Sequence, residues 1–308
     1  MSDMNNKIFS LEFLKPQYWA LWIILLLLRI LVLLPFPILI KLGEGLGTLL
    51  YHLNIKHRRI AEANIAAAFP ELEANKQKEL VKGTIKGTMI TLFELPLFWW
   101  GSNRRLRKRF EIEGMENMQK VLAQGHGAIL MGGHFTPMLM CGRMLAMDLP
   151  FNILVMPAKN KLFEAIMHHY RERFYHGIIN SHDIRTMVKA LKNNEICWYS
   201  PDQDLGGNNI VFAPFMGIQT ATITATSRLA KLSKSPIVPI NFERTKNNRG
   251  YRLKILPAWD NFPSGDDIED ATRVNVFLEQ HIQKVPDQYL WVHRRFKTRP
   301  AGEPSIYK

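Results

Sequence analysis

The residue in this chain best suited to chemistry is a histidine delivered by a short apolar run. In Ala128-Ile-Leu-Met-Gly-Gly-His134, four apolar residues stop at two glycines, and an imidazole follows. An unperturbed imidazole titrates near about 6.5, so it takes a proton from a hydroxyl readily at neutral pH. A buried histidine satisfied by a backbone carbonyl would show the same local pattern, and these residues alone leave both readings open. Three other stretches carry reactive groups. Tyr170-Arg171-Glu-Arg173-Phe-Tyr-His-Gly177 brings two arginines to a helix end, a fork suited to phosphate or a developing oxyanion, or else a solvated helix face. Tyr199-Ser-Pro-Asp202-Gln-Asp204-Leu-Gly206-Gly207 has the composition of a turn after a strand, where Asp202 either orients a cation or caps the turn. Thr220 to Ser227 supplies a row of hydroxyls that serve either substrate contact or turn and cap bonds.

These groups need a scaffold, and the pattern around them predicts one. Ala128–Met131 is continuously apolar, as a strand buried on both faces of a parallel sheet must be. Gly132 and Gly133 then permit a sharp turn and the close approach of another molecule. From Phe110 onward strands alternate with helices: Phe110–Gly114, Phe151–Met156 and Ile196–Tyr199 read as strands, and 115–123, 137–147, 162–174 and 184–191 as helices. The expected fold is therefore α/β, a mixed, mostly parallel central sheet flanked by helices, with His134 at a strand's carboxyl end, where such sheets bind ligands. Ile237–Ile240 and Tyr251–Leu256 flank the polar stretch Lys246–Gly250 and suggest a late antiparallel pair.

The amino-terminal part reads differently. Tyr18 to Ile40 is apolar over a length that can cross or deeply enter a bilayer core, with Trp19 and Trp22 near one end. Arg29, Pro35 and Pro37 interrupt it, which leaves an oblique or re-entrant helix open. The expected division is a membrane anchor over 1–45 and a catalytic domain over 46–308. Lys56-His-Arg-Arg59 places the flanking side in the cytosol. Leu95–Trp100 is either core or a surface resting on lipid, and the basic run Arg104–Arg109 is either a solvated face or a phosphate contact. The net charge of +13 points to anionic partners, and the chain carries no recognisable nucleic-acid reader. Its two cysteines, Cys141 and Cys197, have neither disulfide-framework nor zinc spacing.

Pro16-Gln-Tyr-Trp, Asn64, Phe69-Pro-Glu71, Gly133-His-Phe135, Trp198-Tyr-Ser-Pro-Asp-Gln-Asp204 and Gln288-Tyr-Leu-Trp-Val-His-Arg-Arg-Phe-Lys-Thr-Arg-Pro300 together resemble the late, lauroyl/myristoyl-type acyltransferases of lipid A biosynthesis. That family lies within the wider glycerolipid acyltransferase group. The resemblance implies transfer of a fatty acyl chain from acyl carrier protein to a hydroxyl of a Kdo-bearing lipid A precursor, at the cytoplasmic face of the bacterial inner membrane. It implies no metal or organic cofactor, since the thioester supplies the activated acyl group. It implies His134 as general base; joined to the residue readings above, the expected site has Arg173 as an oxyanion or phosphate contact, Asp202 as a supporting acid, and Gly133, Arg171, Gly206 and Thr220 as substrate contacts. In the family an acid follows the histidine by five residues, but here that position is Leu139. Glu94, Asp202 and Asp204 are the candidates to replace it, Asp202 first because its motif also ends a strand. The alternative is a weakened family member that binds the lipid A precursor or acts as a scaffold.

Overall fold

The structure is a computed structural model that describes residues 8, 10–53, 56–207, 209–246 and 249–307. Two residues of the polar stretch before Tyr251, Asn247 and Asn248, lie outside it, as does Lys7 in the amino-terminal lead. The apolar run does not make one helix. Helix α1 (Trp19–Leu31) ends, a turn follows, and Pro35 caps α2 (Phe36–His52), with Pro37 in its first turn. Proline has no amide hydrogen to extend a preceding helix but fits a first turn, so the two prolines restart the helix rather than continue it. At 1.5 Å per residue α1 is about 20 Å long, short of the ~30 Å hydrocarbon core of a bilayer. Among the described residues no helix is long and apolar enough to cross a membrane, so the expected membrane-anchoring helix is not supported.

Helix α2 runs unbroken through residue 45 and lies against α4 (Ala74–Trp100), with α3 (Lys56–Ala68) between them in sequence. Two glycines allow the contact. A Cβ on Gly43 would sit 2.7 Å from the Ile90 Cα, and one on Gly47 2.6 Å from the Lys86 Cα. The break between α1 and α2 is held from α5 (Asn103–Arg107), where Arg105 donates to the carbonyls of Val32 and Leu34. Arg107 pairs with Asp148 at 2.6 Å, and the Arg109 guanidinium lies 4.4 Å over the Phe36 ring. Part of the basic run is therefore structural. The Leu95–Trp100 patch is mostly core, since Pro96 to Trp99 are buried. The other side of α1 is apolar and exposed, displaying Trp19, Ile23, Ile24, Leu26, Leu27 and Ile30.

Seven strands form the central sheet in the order β1 (Phe110–Glu113), β9 (Tyr251–Ile255), β8 (Ile237–Arg244), β2 (Ala128–Met131), β5 (Ile196–Tyr199), β3 (Asn152–Val155), β4 (Gly177–Asn180). Only the β8–β9 pair is antiparallel, so the mixed, mostly parallel sheet is as expected. β2 lies between β5 and β8 with all four residues buried, which accounts for its unbroken apolar sequence. A separate hairpin, β6 (Ile210–Phe215) and β7 (Ile218–Ile223), takes up Thr220, a stretch to which the sequence pattern assigned no strand. β4 was likewise not anticipated.

The crossover helices α6 (Met115–Leu122), α7 (Met138–Leu145) and α8 (Lys161–Phe174) advance along the sheet, whereas α9 (Ile184–Lys192) and α10 (Ala225–Ser233) return. Right-handed crossovers set these two groups on opposite faces. Helix α4 covers α7 and α8, with Phe98 and Phe174 ring centroids 5.5 Å apart, while α11 (Asp267–Ile282) packs against α10 and β6.

One buried ion pair ties α4 to the sheet. Arg244, at the end of β8, binds Glu94 through two parallel bonds of 2.7 Å, and Tyr251 donates to the same carboxylate at 2.6 Å. A third arginine nitrogen donates to Thr136 Oγ1 at 2.7 Å, two residues beyond His134. Removing one partner of such a pair leaves a buried charge uncompensated, so Arg244→Met is expected to lose about 3–5 kcal/mol of stability. The double variant Glu94→Met/Arg244→Met is expected to be more stable than Arg244→Met alone. Chemical denaturation followed by circular dichroism measures both.

Candidate active site

His134 emerges from β2 through a passage that only glycine fits. A Cβ on Gly132 would lie 2.9 Å from the Phe242 ring, and one on Gly133 2.8 Å from both Leu278 Cδ2 and the Phe135 ring. The register Met131↔Tyr199 brings the carboxyl ends of β2 and β5 side by side, so the segment after β5 reaches the histidine. Asp202 accepts from the His134 backbone N–H through Oδ2 at 2.8 Å and meets the ring nitrogen Nδ1 through Oδ1 at 2.6 Å. Asp202 is 2% exposed. Burial pushes its carboxyl upward, but the charge and the hydrogen bonds of His134 outweigh this and hold it at about 2. With the carboxylate ionised, Nδ1 carries the proton and donates it, which leaves the lone pair on Nε2.

The other acids are engaged elsewhere. Glu94 is held by Arg244 and Tyr251. Asp204 accepts from the Thr298 amide at 2.6 Å, the Thr298 hydroxyl at 3.0 Å and the Gly206 amide at 3.0 Å.

A segment far away in sequence closes the site from behind. Leu290 donates its amide to the His134 carbonyl at 3.0 Å, Thr136 donates to Gln288 at 2.7 Å, and Phe135 bridges to Tyr289. Asn64 of α3 fixes this segment by donating to the carbonyls of Trp291 and His293 at 2.6 and 2.7 Å. The Arg295 side chain is buried and donates to Ala221 at 2.8 Å, and its charge also favours ionised Asp202. Burial lowers the His293 imidazole, and the nearby His134 lowers it further. Sequence reasoning from residue types alone assigned Asn64, Leu290 and Thr298 no part in the site. Leu290 and Thr298 act at least partly through backbone groups, and the signals for the three were the resemblance-bearing Asn64 and the stretch 288–300.

His134 lines a cavity of about 610 Å³ whose walls are mainly apolar, among them Met138, Leu139, Phe151, Ile153 and Trp198. Arg171 and Gly206 also line it. Arg173 does not: it is exposed on α8, its guanidinium 6.0 Å from the Phe174 ring. Residues two apart on a helix point about 200° apart, so only one of the two arginines can face the cavity, and it is Arg171. Burial lowers the Arg171 guanidinium, partly offset by Glu164, 3.7 Å away. The side chain of Thr220 is fully buried in β7 and donates to the Ile218 carbonyl at 2.9 Å, away from the cavity lining. Gly133 acts by letting the backbone pass.

Residues 6–298 match the sequence profile of the bacterial lipid A biosynthesis acyltransferases. The chain belongs to that family. It is 34% identical over 300 residues to the lipid A biosynthesis palmitoleoyltransferase of Escherichia coli (strain K12), covering 97% of this chain and 98% of the relative. It is also 34% identical over 300 residues to that organism's lipid A biosynthesis lauroyltransferase, with the same coverage. It is 25% identical over 313 residues to its lipid A biosynthesis myristoyltransferase, covering 97% and 94%.

In this lipid A acyltransferase family member, Leu139 occupies the position where an acid was expected and forms cavity wall instead. Asp202 stands where such an acid would have to act. Its replacement by Asn removes the charge and lets the imidazole take the wrong tautomer, so Asp202→Asn is expected to lower turnover on the order of a thousand- to ten-thousand-fold. The depressed carboxyl also fixes the pH sign. Wild type gains stability from Asp202 above about pH 4, and that gain disappears as pH falls towards about 2. The stability difference between wild type and Asp202→Asn, measured by denaturation at graded pH, is expected to shrink over that window.

Proposed function

We propose that this chain transfers a fatty acyl group from acyl carrier protein to a hydroxyl of a Kdo-bearing lipid A precursor, at the cytoplasmic face of the bacterial inner membrane. The observation that carries the catalytic reading is the two-point grip of Asp202 on His134. It supplies the orienting acid that position 139 lacks and turns Nε2 into the free acceptor. Nε2 takes the proton of the acceptor hydroxyl while that oxygen attacks the thioester carbonyl. The tetrahedral intermediate collapses, the carbon–sulfur bond breaks, and the departing thiolate receives the proton back from the imidazolium. Arg171, rather than Arg173, lines the cavity and is the arginine this reading takes as the contact for an anionic group of the substrate. No redox or metal step enters this balance, because the thioester is already activated.

Two further features support the lipid substrate and the membrane. The mainly apolar cavity suits a hydrocarbon chain, and the relatives named above transfer different acyl groups. The exposed apolar side of α1 continues into Leu33, Ile38, Leu42 and Leu49, a surface that suits lying within the interfacial plane of a bilayer rather than crossing it. The charge of +13 suits both an anionic lipid surface and an acidic carrier protein.

Mass spectrometry of lipid A tests the reading directly. Cells expressing the wild-type chain are expected to carry one acyl chain more than cells lacking it, and His134→Ala is expected to abolish the addition. Full acylation by that variant would overturn the assignment of the base. A scaffold without turnover would instead show no difference between expressing and non-expressing cells. Because Nδ1 is already occupied by Asp202, Leu139→Glu is expected to give no gain in turnover, and a fall where its charge enters an apolar wall.

A further inference from the structure

One residue of the cavity wall is a glycine inside a helix. Gly142 lies in α7, where glycine is disfavoured relative to alanine, so its presence calls for a packing or functional reason. The surroundings give it. A Cβ on Gly142 would lie 3.2 Å from the Tyr175 hydroxyl oxygen and 3.7 Å from Trp198 Cζ3. Gly142, Tyr175 and Trp198 all line the cavity, so this is a place where its opposite walls already touch.

The position of that contact within the sheet matters. His134 and Tyr199 mark the carboxyl ends of β2 and β5, whereas Phe151 immediately precedes β3 and Tyr175 lies two residues before β4; Trp198 of β5 is in register with Ile153 of β3 and so reaches them. Phe151, Tyr175 and Trp198 form one aromatic cluster, with ring centroids 5.3 Å apart for Phe151–Tyr175 and 5.5 Å for Phe151–Trp198. One wall of the cavity leads from the imidazole past Met138 and Leu139 to this aromatic floor. Leucine at 139 keeps that wall apolar up to the histidine.

We propose that Gly142 and Tyr175 together set the length of the acyl chain this enzyme accepts: the chain lies along α7 from His134, and its methyl end stops at the Gly142–Tyr175 contact. This rests on the reading that the cavity holds a fatty acyl group. A longer chain has to displace Tyr175, whose buried hydroxyl belongs to the same packed cluster. A shorter chain leaves the floor uncovered and forgoes burial worth roughly fourfold in affinity per methylene.

The test uses the full chain and acyl carrier protein loaded with a series of saturated chains, with the acylated lipid product read by mass spectrometry. Gly142→Leu drives a side chain against Tyr175 and up into the cavity, and is expected to shift the preferred donor at least two carbons shorter. Tyr175→Leu removes the floor and is expected to shift it longer, with ratios between neighbouring donors changing roughly tenfold or more. Met187→Trp narrows the cavity from α9, away from the Gly142–Tyr175 contact, and is expected to lower turnover alike for every donor without moving the preferred length, with Met187→Phe used where the tryptophan variant is unfolded. Where a thermal melt shows that a leucine variant is unfolded, Gly142→Ala and Tyr175→Phe replace it in the same comparison. An unchanged preference in the folded Gly142 and Tyr175 variants, or a preference that follows only Met187→Trp, overturns the proposal while acyl transfer stands. No product from the wild type with any donor overturns the acyl-transfer reading, and this inference with it.

Discussion

A single carboxylate that binds two atoms of the same residue is the constraint on which this site depends. Asp202 holds the backbone N–H of His134 and its ring nitrogen together, so the direction of the chain and the orientation of the imidazole are fixed by one group. Hydrogen bonds to a charged partner contribute about 1.5–3 kcal/mol each, and two of them offset the cost of burying the carboxylate. The grip works only because β2 and β5 are neighbours in register. The central strand pair is therefore both the middle of the hydrophobic core and the device that aligns the dyad.

Around that pair, polar groups do the positioning that apolar packing cannot do with the same directionality. The Glu94–Arg244–Thr136 network reaches the residue two beyond His134 from α4 and β8. Asn64 and Asp204 pin the segment after α11 to the back of the histidine and to the loop that carries Asp202. Each of these side chains is buried and satisfied by a partner from another element. The cavity on the other side of His134 has few such groups, so the molecule separates a rigid polar support from an apolar chamber.

The strand Ala128–Met131, the double glycine and the histidine were legible because each follows from local physics: burial on two faces demands continuous apolar residues, and a tight passage demands glycine. Asp202 was legible as the leading candidate because turn residues after a parallel strand converge with those of its neighbours. The choice between Arg171 and Arg173 was not, since a helix face is assigned only when its neighbours are known. The break at Val32–Pro35 was signalled by its prolines, but hydropathy summed over 23 residues masked it. The β6–β7 hairpin, with Thr220 inside, was not legible as strands because its threonines serve strands and turns equally well. The contributions of Leu290 and Thr298 include main-chain donors, which any residue type could supply.

The hydrogen bonds from Leu290 to His134 and from Thr298 to Asp204 also bear on how the protein is made. All nine strands found among the described residues precede Leu290 in the sequence, so the whole sheet is synthesised before the residues that brace its histidine. Until then the His134 carbonyl lacks its donor, and the loop carrying Asp202 lacks its tether at Asp204. The order of translation thus delays a braced His134–Asp202 pair until the residues after α11 are in place, and a nascent chain presents an apolar chamber whose base is not yet held.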